Sequence, residues 1–511
     1  MDVDPAQVYE DAKRGVSDQT ELLRRLVSGS PADRAWASVI DSQLWAANPH
    51  WGVRPDLGAL ASLGHPEITW RATLELAKHA LLEFDSVLLS EARERLDADA
   101  LEADDPTALI WAVAVRGWES LALGQHVRGL DEAFADAKRR GAADLVVELG
   151  SLRALVAIES GDLEEGRRLA RQASRMARTE SLPQAEYLAN VILARLRRLR
   201  GYPHLAGRIL DALLALASPR WHAWIRWELA LSGGRVQPEP NDLAAALIRA
   251  RRSAIEGRRE AFEIAAADVH TKAAGFQPIA REAHYFLVAC DPEAESVPPA
   301  LQPWARGEDA RAPVGLYAPD AEGSLGYVTA SPGEPGRRIL PSGRGLAAGL
   351  LISSVKKRKQ NRVETLASVL ALAGPEGLSE DDAFRAVYGF EYVPELHRGT
   401  FDVALHRARA TLSEVGRLER TGARVRLELK VPLIVPDPRC AEPVEARLLR
   451  ALAGGITTAK AAAEAAGVSL RQAQAALQSL AEDGACVAEK EGRRMAYRVE
   501  DTTFAEPTRA R

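Results

Sequence analysis

The sequence predicts a mainly α protein, with an N-terminal helical repeat array followed by two small α+β units. Three observations predict it. From about residue 67 to 290 the chain is rich in Ala, Leu, Arg and Glu at helical spacing, with prolines confined to helix ends. Turn residues recur through that stretch at near-constant intervals, the signature of stacked units. Beyond residue 340, two stretches each read as three helices and then a β-hairpin.

The 511 residues suffice for roughly three or four domains with cores of their own. An apolar content of 47% with 27% charged residues excludes a disordered chain. The overall charge of −5 hides a partition. Residues 1–336 carry 38 Lys/Arg against 49 Asp/Glu, a net of −11, whereas 337–430 carry 17 against 11, a net of +6. Residues 440–511 balance ten against ten. The middle segment is therefore the one expected to meet a polyanion.

Cys290, Cys440 and Cys486 stand far apart with no CxxC pair, so neither a disulfide framework nor a zinc knuckle is indicated. The start, Met1-Asp2-Val3-Asp4, is acidic where a secretory signal is basic then apolar, and no apolar run reaches membrane-spanning length. These features lead us to expect a soluble, cytoplasmic protein.

Within the array, Gly124, Gly161, Gly201, Asn241 and Gly275 recur at steps of 37, 40, 40 and then 34. A small residue follows five positions later each time: Gly129, Gly166, Ala206, Ala246 and Ala280. This spacing suits a helical hairpin, in which a turn residue tolerates positive φ and a small side chain lets the second helix cross the first. Gly161 to Ala173, reading GDLEEGRRLARQA, is the clearest copy. It resembles the turn and second helix of a tetratricopeptide repeat, in units longer than that family's usual one. That resemblance, over about 40% of the chain, implies an α-solenoid at 67–290 that recognises a protein, peptide or small-molecule effector. Residues 1–66 read as its N-terminal helical cap, with Phe84 one period before Gly124.

All ten tryptophans lie at or before Trp304, and Trp221, Trp224 and Trp227 are three apart on one helix. Large apolar side chains at this spacing ordinarily pack between successive hairpins. Alternatively, they line a ligand groove, since they occupy one stripe.

Residues 291–336 form a Pro/Gly-rich linker. Within it, Gly315-Leu316-Tyr317 and Leu325 to Thr329 flank a turn at Asp320 to Gly323 and read as a hairpin, with Arg338-Ile339-Leu340 as a third strand. The basic run Lys356, Lys357, Arg358 and Lys359 follows, ahead of helices expected at 361–373, 380–388 with Ser379 as N-cap, and 398–414.

The third of these helices carries Asp402, Val403, Leu405, Arg407, Arg409 and Leu412, and a hairpin from Leu418 to Leu427 turns at Gly422. Residues 337–430 thus resemble the OmpR-type winged helix, whose recognition helix reads D-V-x-[IL]-x-R-x-R-x-x-L. One departure is that Arg424-Val425-Arg426 stands where the family's wing has a glycine-aromatic pair. The resemblance implies binding of double-stranded DNA. Thr400, His406 and Arg407 would then read base edges, while Arg409, Arg424, Arg426 and Lys356 to Lys359 hold phosphates.

Residues 431–442 read as a Pro-rich linker, and 503–511 as a tail. Between them, 443–502 give helices at 443–453, 457–466 and 469–483, then strands at 485–490 and 494–500 with Gly492 at the tip. Ala463, Gly467 and Ala473 occupy the positions that let two helices cross tightly. This unit is similar to MarR-, ArsR- and IclR-like winged helices. That implies DNA contacts from Ser469, Arg471, Gln472, Gln474, Lys490, Arg493 and Arg494, or a protein–protein role.

No Walker loop, GxGxxG after a strand, HExxH, GxSxG or clustered His/Cys/Asp ligands occurs, so neither enzymatic activity, nor a cofactor, nor a metal is expected. The resemblances together imply a sequence-specific DNA-binding transcriptional regulator governed by an effector on its repeats. The rival is a non-enzymatic scaffold that uses repeats and winged helices as protein–protein modules. The sequence sets no oligomeric state.

Overall fold

The computed structural model describes residues 4–14, 20–48, 65–199, 203–232, 239, 242–290, 309, 311, 326–339, 350–351, 361–388, 391–437, 444–452, 457–482, 486–491 and 494–499. Among them the chain is mainly helical, and every strand lies beyond residue 325 in three small sheets. No helix among the described residues is long and apolar enough to cross a membrane.

The N-terminal helices are α1 (Pro5–Lys13), α2 (Thr20–Val27) and α3 (Pro31–Ala47). Next come α4 (Pro66–Leu82), α5 (Ser86–Glu102), α6 (Pro106–Ala122), α7 (Leu130–Arg140), α8 (Ala143–Glu159), α9 (Leu163–Thr179) and α10 (Pro183–Leu199). The array ends with α11 (Pro203–Leu216), α12 (His222–Leu231), α13 (Leu243–Ile255), α14 (Arg259–Ala273) and α15 (Gln277–Cys290). Local chemistry sets these boundaries. Six of the helices begin on proline, whose missing N–H is unpaired in a first turn anyway. Asp4, Ser30, Asp85, Asp105, Asp162 and Asp242 accept hydrogen bonds from first-turn N–H groups.

Helix starts at 66, 86 and 106, and again at 143, 163, 183 and 203, are evenly spaced at half the step between the sequence's turn residues. The repeat period is therefore two helix-plus-turn units. The chain turns through positive φ at Phe84, Asp104, Gly124, Gly161 and Ser181. A search for glycines finds only some of these turns, because three of the five positions hold other residues in a conformation they rarely adopt. Gly129, at φ 74, stands ahead of α7 as its N-cap and not within the helix crossing. Gly275 is outside the positive-φ set. It is small because a Cβ there would lie 2.9 Å from the Phe84 carbonyl and the Ser86 hydroxyl. Gly166, Ala206 and Ala246 do serve close crossings: a Cβ on Gly166 would lie 3.0 Å from Ile158, and both alanines are fully buried. Gly201 and Asn241 lie outside the described residues.

Helices α4, α6, α8, α10 and α12 touch one another in succession as well as their chain neighbours, forming an inner layer. Burial follows the layers. α10 is buried on most sides, whereas the outer α9 buries only Gly166, Leu169, Ala170, Ala173, Ser174 and Ala177, one amphipathic stripe. Both ends of the array return to this inner layer. Lys13 pairs with Asp144 at 2.8 Å, Arg220 with Glu75 at 2.8 Å, and the Gln184 amide donates to Gln43 Oε1 at 2.5 Å. At the other end α15 touches α6, and Phe84 meets Trp224 and Phe276 edge to face at 5.8 and 5.7 Å. The chain's own first and last helices therefore cover part of the inner layer. Trp70, Trp111, Trp118, Trp221, Trp224 and Trp227 are all buried.

An ion network occupies the interior between α10, α12 and α15. Arg195 reaches Glu228 at 3.1 Å and Glu282 at 2.9 Å, and Arg198 reaches the same two carboxylates at 2.7 and 2.9 Å. All four side chains are at most 2% exposed.

The C-terminal region opens with β1 (Gly326–Ala330), β2 (Arg337–Ile339) and β3 (Leu350–Leu351), then α16 (Asn361–Ala373), β4 (Leu378–Ser379), α17 (Glu380–Tyr388) and α18 (Pro394–Leu412). β5 (Gly416–Thr421) and β6 (Arg424–Leu429) form a hairpin, and β7 (Leu433–Asp437) follows. The first sheet has the order β2-β1-β7-β3. Here the linker expectation at 431–442 needs correction, since Leu433, Ile434 and Val435 are a buried strand between β1 and β3. Within this strand Pro436 stands opposite Tyr327 of β1. The expected partner strand at 315–317 lies outside the described residues; β1 pairs with β2 and β7.

The last unit comprises α19 (Val444–Leu452), β8 (Thr457–Thr458), α20 (Ala459–Ala466), α21 (Leu470–Glu482), β9 (Cys486–Glu491) and β10 (Arg494–Val499). It has a core of its own around Leu448, Leu452, Ala473 and Leu477. It also touches the array, α19 lying against α11.

Removing one member of the buried network strands the others, so Arg198→Met should destabilise the array by about 3–5 kcal/mol in urea titrations at neutral pH. The pH dependence has a definite sign. Burial alone would raise the Glu282 carboxyl, but Arg195 and Arg198 overcome this and hold it below its ordinary 4.5. Its contribution is thus complete above pH 4.5 and is lost as pH falls through the lowered folded value. Urea midpoints should drop below that pH in the native chain, and less steeply in Glu282→Gln.

Candidate functional site

Helix α18 owes its position to one apolar face. Phe401, Ala404, Leu405, Ala408 and Leu412 are buried against Val363, Leu366 and Leu370 of α16 and Phe384 of α17. At its start, the His397 ring stacks on Phe384 at 5.0 Å while its Nδ1 accepts the Val393 N–H at 2.9 Å. Tyr388 stacks on the same Phe384 ring at 4.4 Å, and the Arg362 guanidinium lies over Tyr388 at 4.6 Å. Ser379 acts as the N-cap of α17, accepting the Asp382 N–H at 3.0 Å.

The hairpin is tied to both helices by Arg420. Its guanidinium binds Glu380 of α17 and, at 2.7 Å, Asp402 of α18, while the Glu380 N–H donates to the Ala423 carbonyl at 2.8 Å. Asp402 is therefore a brace for the hairpin, and Gly422 makes the tip at φ 60.

Opposite the buried face, α18 presents Leu396, Val403, His406 and Arg407, with Thr400 on one shoulder. No hydrogen bond or ion pair engages the Arg407 or His406 side chain among the described residues. Arg409, expected to hold a phosphate, is turned to the other shoulder, where its Nε donates to the Leu418 carbonyl at 3.3 Å. Val403 matches the resemblance in sequence but is 51% exposed and contributes nothing to the core.

The hairpin arginines already have partners within the chain. Arg424 donates to the Glu376 and Gly377 carbonyls at 2.9 and 3.0 Å. Arg426 binds Glu419 at 2.6 Å, and its hydrogen bond holds that carboxyl below the ordinary range. A phosphate would have to displace these partners, which sets both residues apart from Arg407. Arg398 is exposed one turn before Asp402, ahead of the residues that carry the resemblance. Lys356, Lys357, Arg358 and Lys359 lie outside the described residues.

In the last unit, Ala463 and Ala473 are buried as expected and Gly467 ends α20 at φ 61. Two of the residues expected at DNA bond to each other. Ser469 Oγ accepts the Gln472 N–H at 3.3 Å, and Gln472 Oε1 accepts the Ser469 N–H at 3.2 Å. They form a reciprocal helix cap, which the S-x-x-Q spacing already spelled out. Arg471 and Gln474 are exposed on α21, and Lys490 on β9. Arg493 lies outside the described residues, and of Arg494 only the backbone in β10 is described.

No known protein family, curated protein or solved structure matches the chain. The geometry alone therefore carries any reading of function.

Ser469→Ala should lower the stability of the last unit by about 1 kcal/mol, seen as faster hydrogen exchange over 457–482, with no change in affinity for any ligand of α21. Arg471→Ala should do the reverse.

Proposed function

We propose that the protein is a sequence-specific DNA-binding transcriptional regulator, its N-terminal array binding an effector and its two C-terminal units acting as winged helices. The observation that carries this reading is α18. An exposed helix face bearing Thr400, His406 and Arg407 projects from a small core, flanked by a hairpin braced through Arg420. It lies in the segment with net charge +6. A helix held in this way suits the major groove, where Arg can bond guanine bidentately.

A second reading, the non-enzymatic scaffold, draws on the same face. Leu396 and Val403 are 75% and 51% exposed on it, and the Arg424 and Arg426 charges are already engaged. Apolar groups so placed suit a protein partner as well as a thymine methyl group.

The two readings diverge under salt. Fluorescence anisotropy of the full chain on genomic duplex fragments should give a log–log salt slope reflecting several released counterions. Absence of duplex binding at low salt overturns the DNA reading. On the best-bound fragment, Arg407→Ala should cost about 1–3 kcal/mol and relax base preference; equal losses on specific and random duplexes would make it a phosphate contact.

A further inference from the structure

A cavity lies where the N-terminal helices close over the inner layer, bounded by α1, α3, α4, α6, α8, α10 and the turn at Arg220 and Trp221. It offers about 40 Å³ to the centres of water molecules. That is room for about three waters, so the smallest carboxylates come nearest to filling it as it stands.

Most of its charges are matched within the chain. Lys13 pairs with Asp144 at 2.8 Å, and Arg220 holds the Glu75 carboxylate and backbone carbonyl at 2.8 Å each. Gln43 joins this group by donating to Glu75 at 2.5 Å and accepting from Gln184 at 2.5 Å. What remains is an excess of donors. The Lys78 ammonium lies over the Trp111 ring at 4.2 Å, with no hydrogen-bond acceptor among the described residues. Trp111 and Trp221 are 2% and 5% exposed, and their indole N–H groups have no partner among the described residues. Glu148 accepts one bond, from the Trp118 indole at 2.9 Å. Burial raises its carboxyl above the ordinary range, against the pull of Lys78, which favours the neutral form. Lys78 acts on the Glu75, Asp144 and Glu148 carboxylates through its charge but is hydrogen-bonded to none of them among the described residues.

Buried donors without acceptors are costly, and a ligand that supplies acceptors removes the cost. Leu81, Leu182 and Leu188 complete the walls and suit an aliphatic chain. We infer that this cavity is a binding site for a short aliphatic monocarboxylate, its oxygens taking the Lys78 ammonium and the indole N–H groups of Trp111 and Trp221. This deepens the effector half of the proposed function and is independent of the DNA half.

Because α1 and α3 form one wall, a ligand here bridges them to α8 and α10 and tightens the array's closure. The test uses the full chain without DNA. Acetate, propionate, butyrate and isovalerate are titrated against thermal unfolding and tryptophan fluorescence, with butyramide and n-butylamine as uncharged and cationic controls. At least one carboxylate should raise the melting temperature saturably and change the fluorescence, while both controls should not. Lys78→Met should weaken that binding at least tenfold, and Trp221→Phe, which keeps an aromatic ring but loses the indole N–H together with the five-membered ring, about five- to tenfold. Circular dichroism checks that the variants fold.

A response to every carboxylate no larger than the solvent effect of the controls overturns the inference. So does an equal saturable response to butyramide or butylamine, or undiminished binding in folded Lys78→Met. Loss of duplex binding by anisotropy, with carboxylate binding intact, would instead defeat the DNA reading alone.

Discussion

Arg195 and Arg198, one turn apart on α10, share Glu228 of α12 and Glu282 of α15 in the interior of the array. Moving four charges out of water opposes folding, and the attraction between them compensates only if the geometry is kept. The network therefore acts chiefly on register. If α15 slid by a turn, it would strand Glu282 beside apolar side chains and leave two guanidinium groups short of a counterion. Glu159 extends the constraint, contacting Arg195 at 3.4 Å and Arg281 at 2.7 Å and so joining α8 to the same set. Helices far apart in sequence are thus fixed to one another by groups that tolerate no alternative partner.

That constraint shapes the rest of the array. With α12 and α15 fixed against α10, Phe84, Trp224 and Phe276 meet in one aromatic cluster, and the last helix closes on the first hairpins. On the other side, the Lys13–Asp144 and Arg220–Glu75 pairs draw in the N-terminal helices. Where the N-terminal helices meet the inner layer the packing is incomplete, and the cavity beside Lys78 is what remains. A site of this kind depends on closure, because its walls run from Lys13 at one extreme of the array's sequence to Trp221 near the other.

In the C-terminal region the corresponding device is Arg420, which ties the hairpin to Glu380 and Asp402. The D-V-x-[IL]-x-R-x-R pattern mixes two kinds of residue that look alike in a sequence. Asp402 and Arg409 face the chain's own hairpin, while Arg407 faces outward. The same division separates Ser469 and Gln472, which cap α21, from Arg471 and Gln474, which are exposed on its surface.

By itself, the sequence determined what local chemistry controls. The helical apolar period placed α16 at 361–373, and Ser379 as a capping side chain placed the start of α17 at 380, because each acts over a few residues. The hairpin around Gly422 was legible for the same reason. The long repeat period was visible, but the single helix-plus-turn unit of half that length was hidden, since Phe84, Asp104 and Ser181 hold the turn conformation only under tertiary constraint. Strand β7 was concealed by Pro436 within it and by Pro432 and Pro438 on either side, since its pairing with β1 joins segments about a hundred residues apart. Tertiary structure alone decided that the N-terminal helices pack on the inner layer and that Trp221 borders a cavity. It also turned Arg409 toward the hairpin. Each of these depends on charges and rings distant in sequence, whose meeting no local pattern encodes.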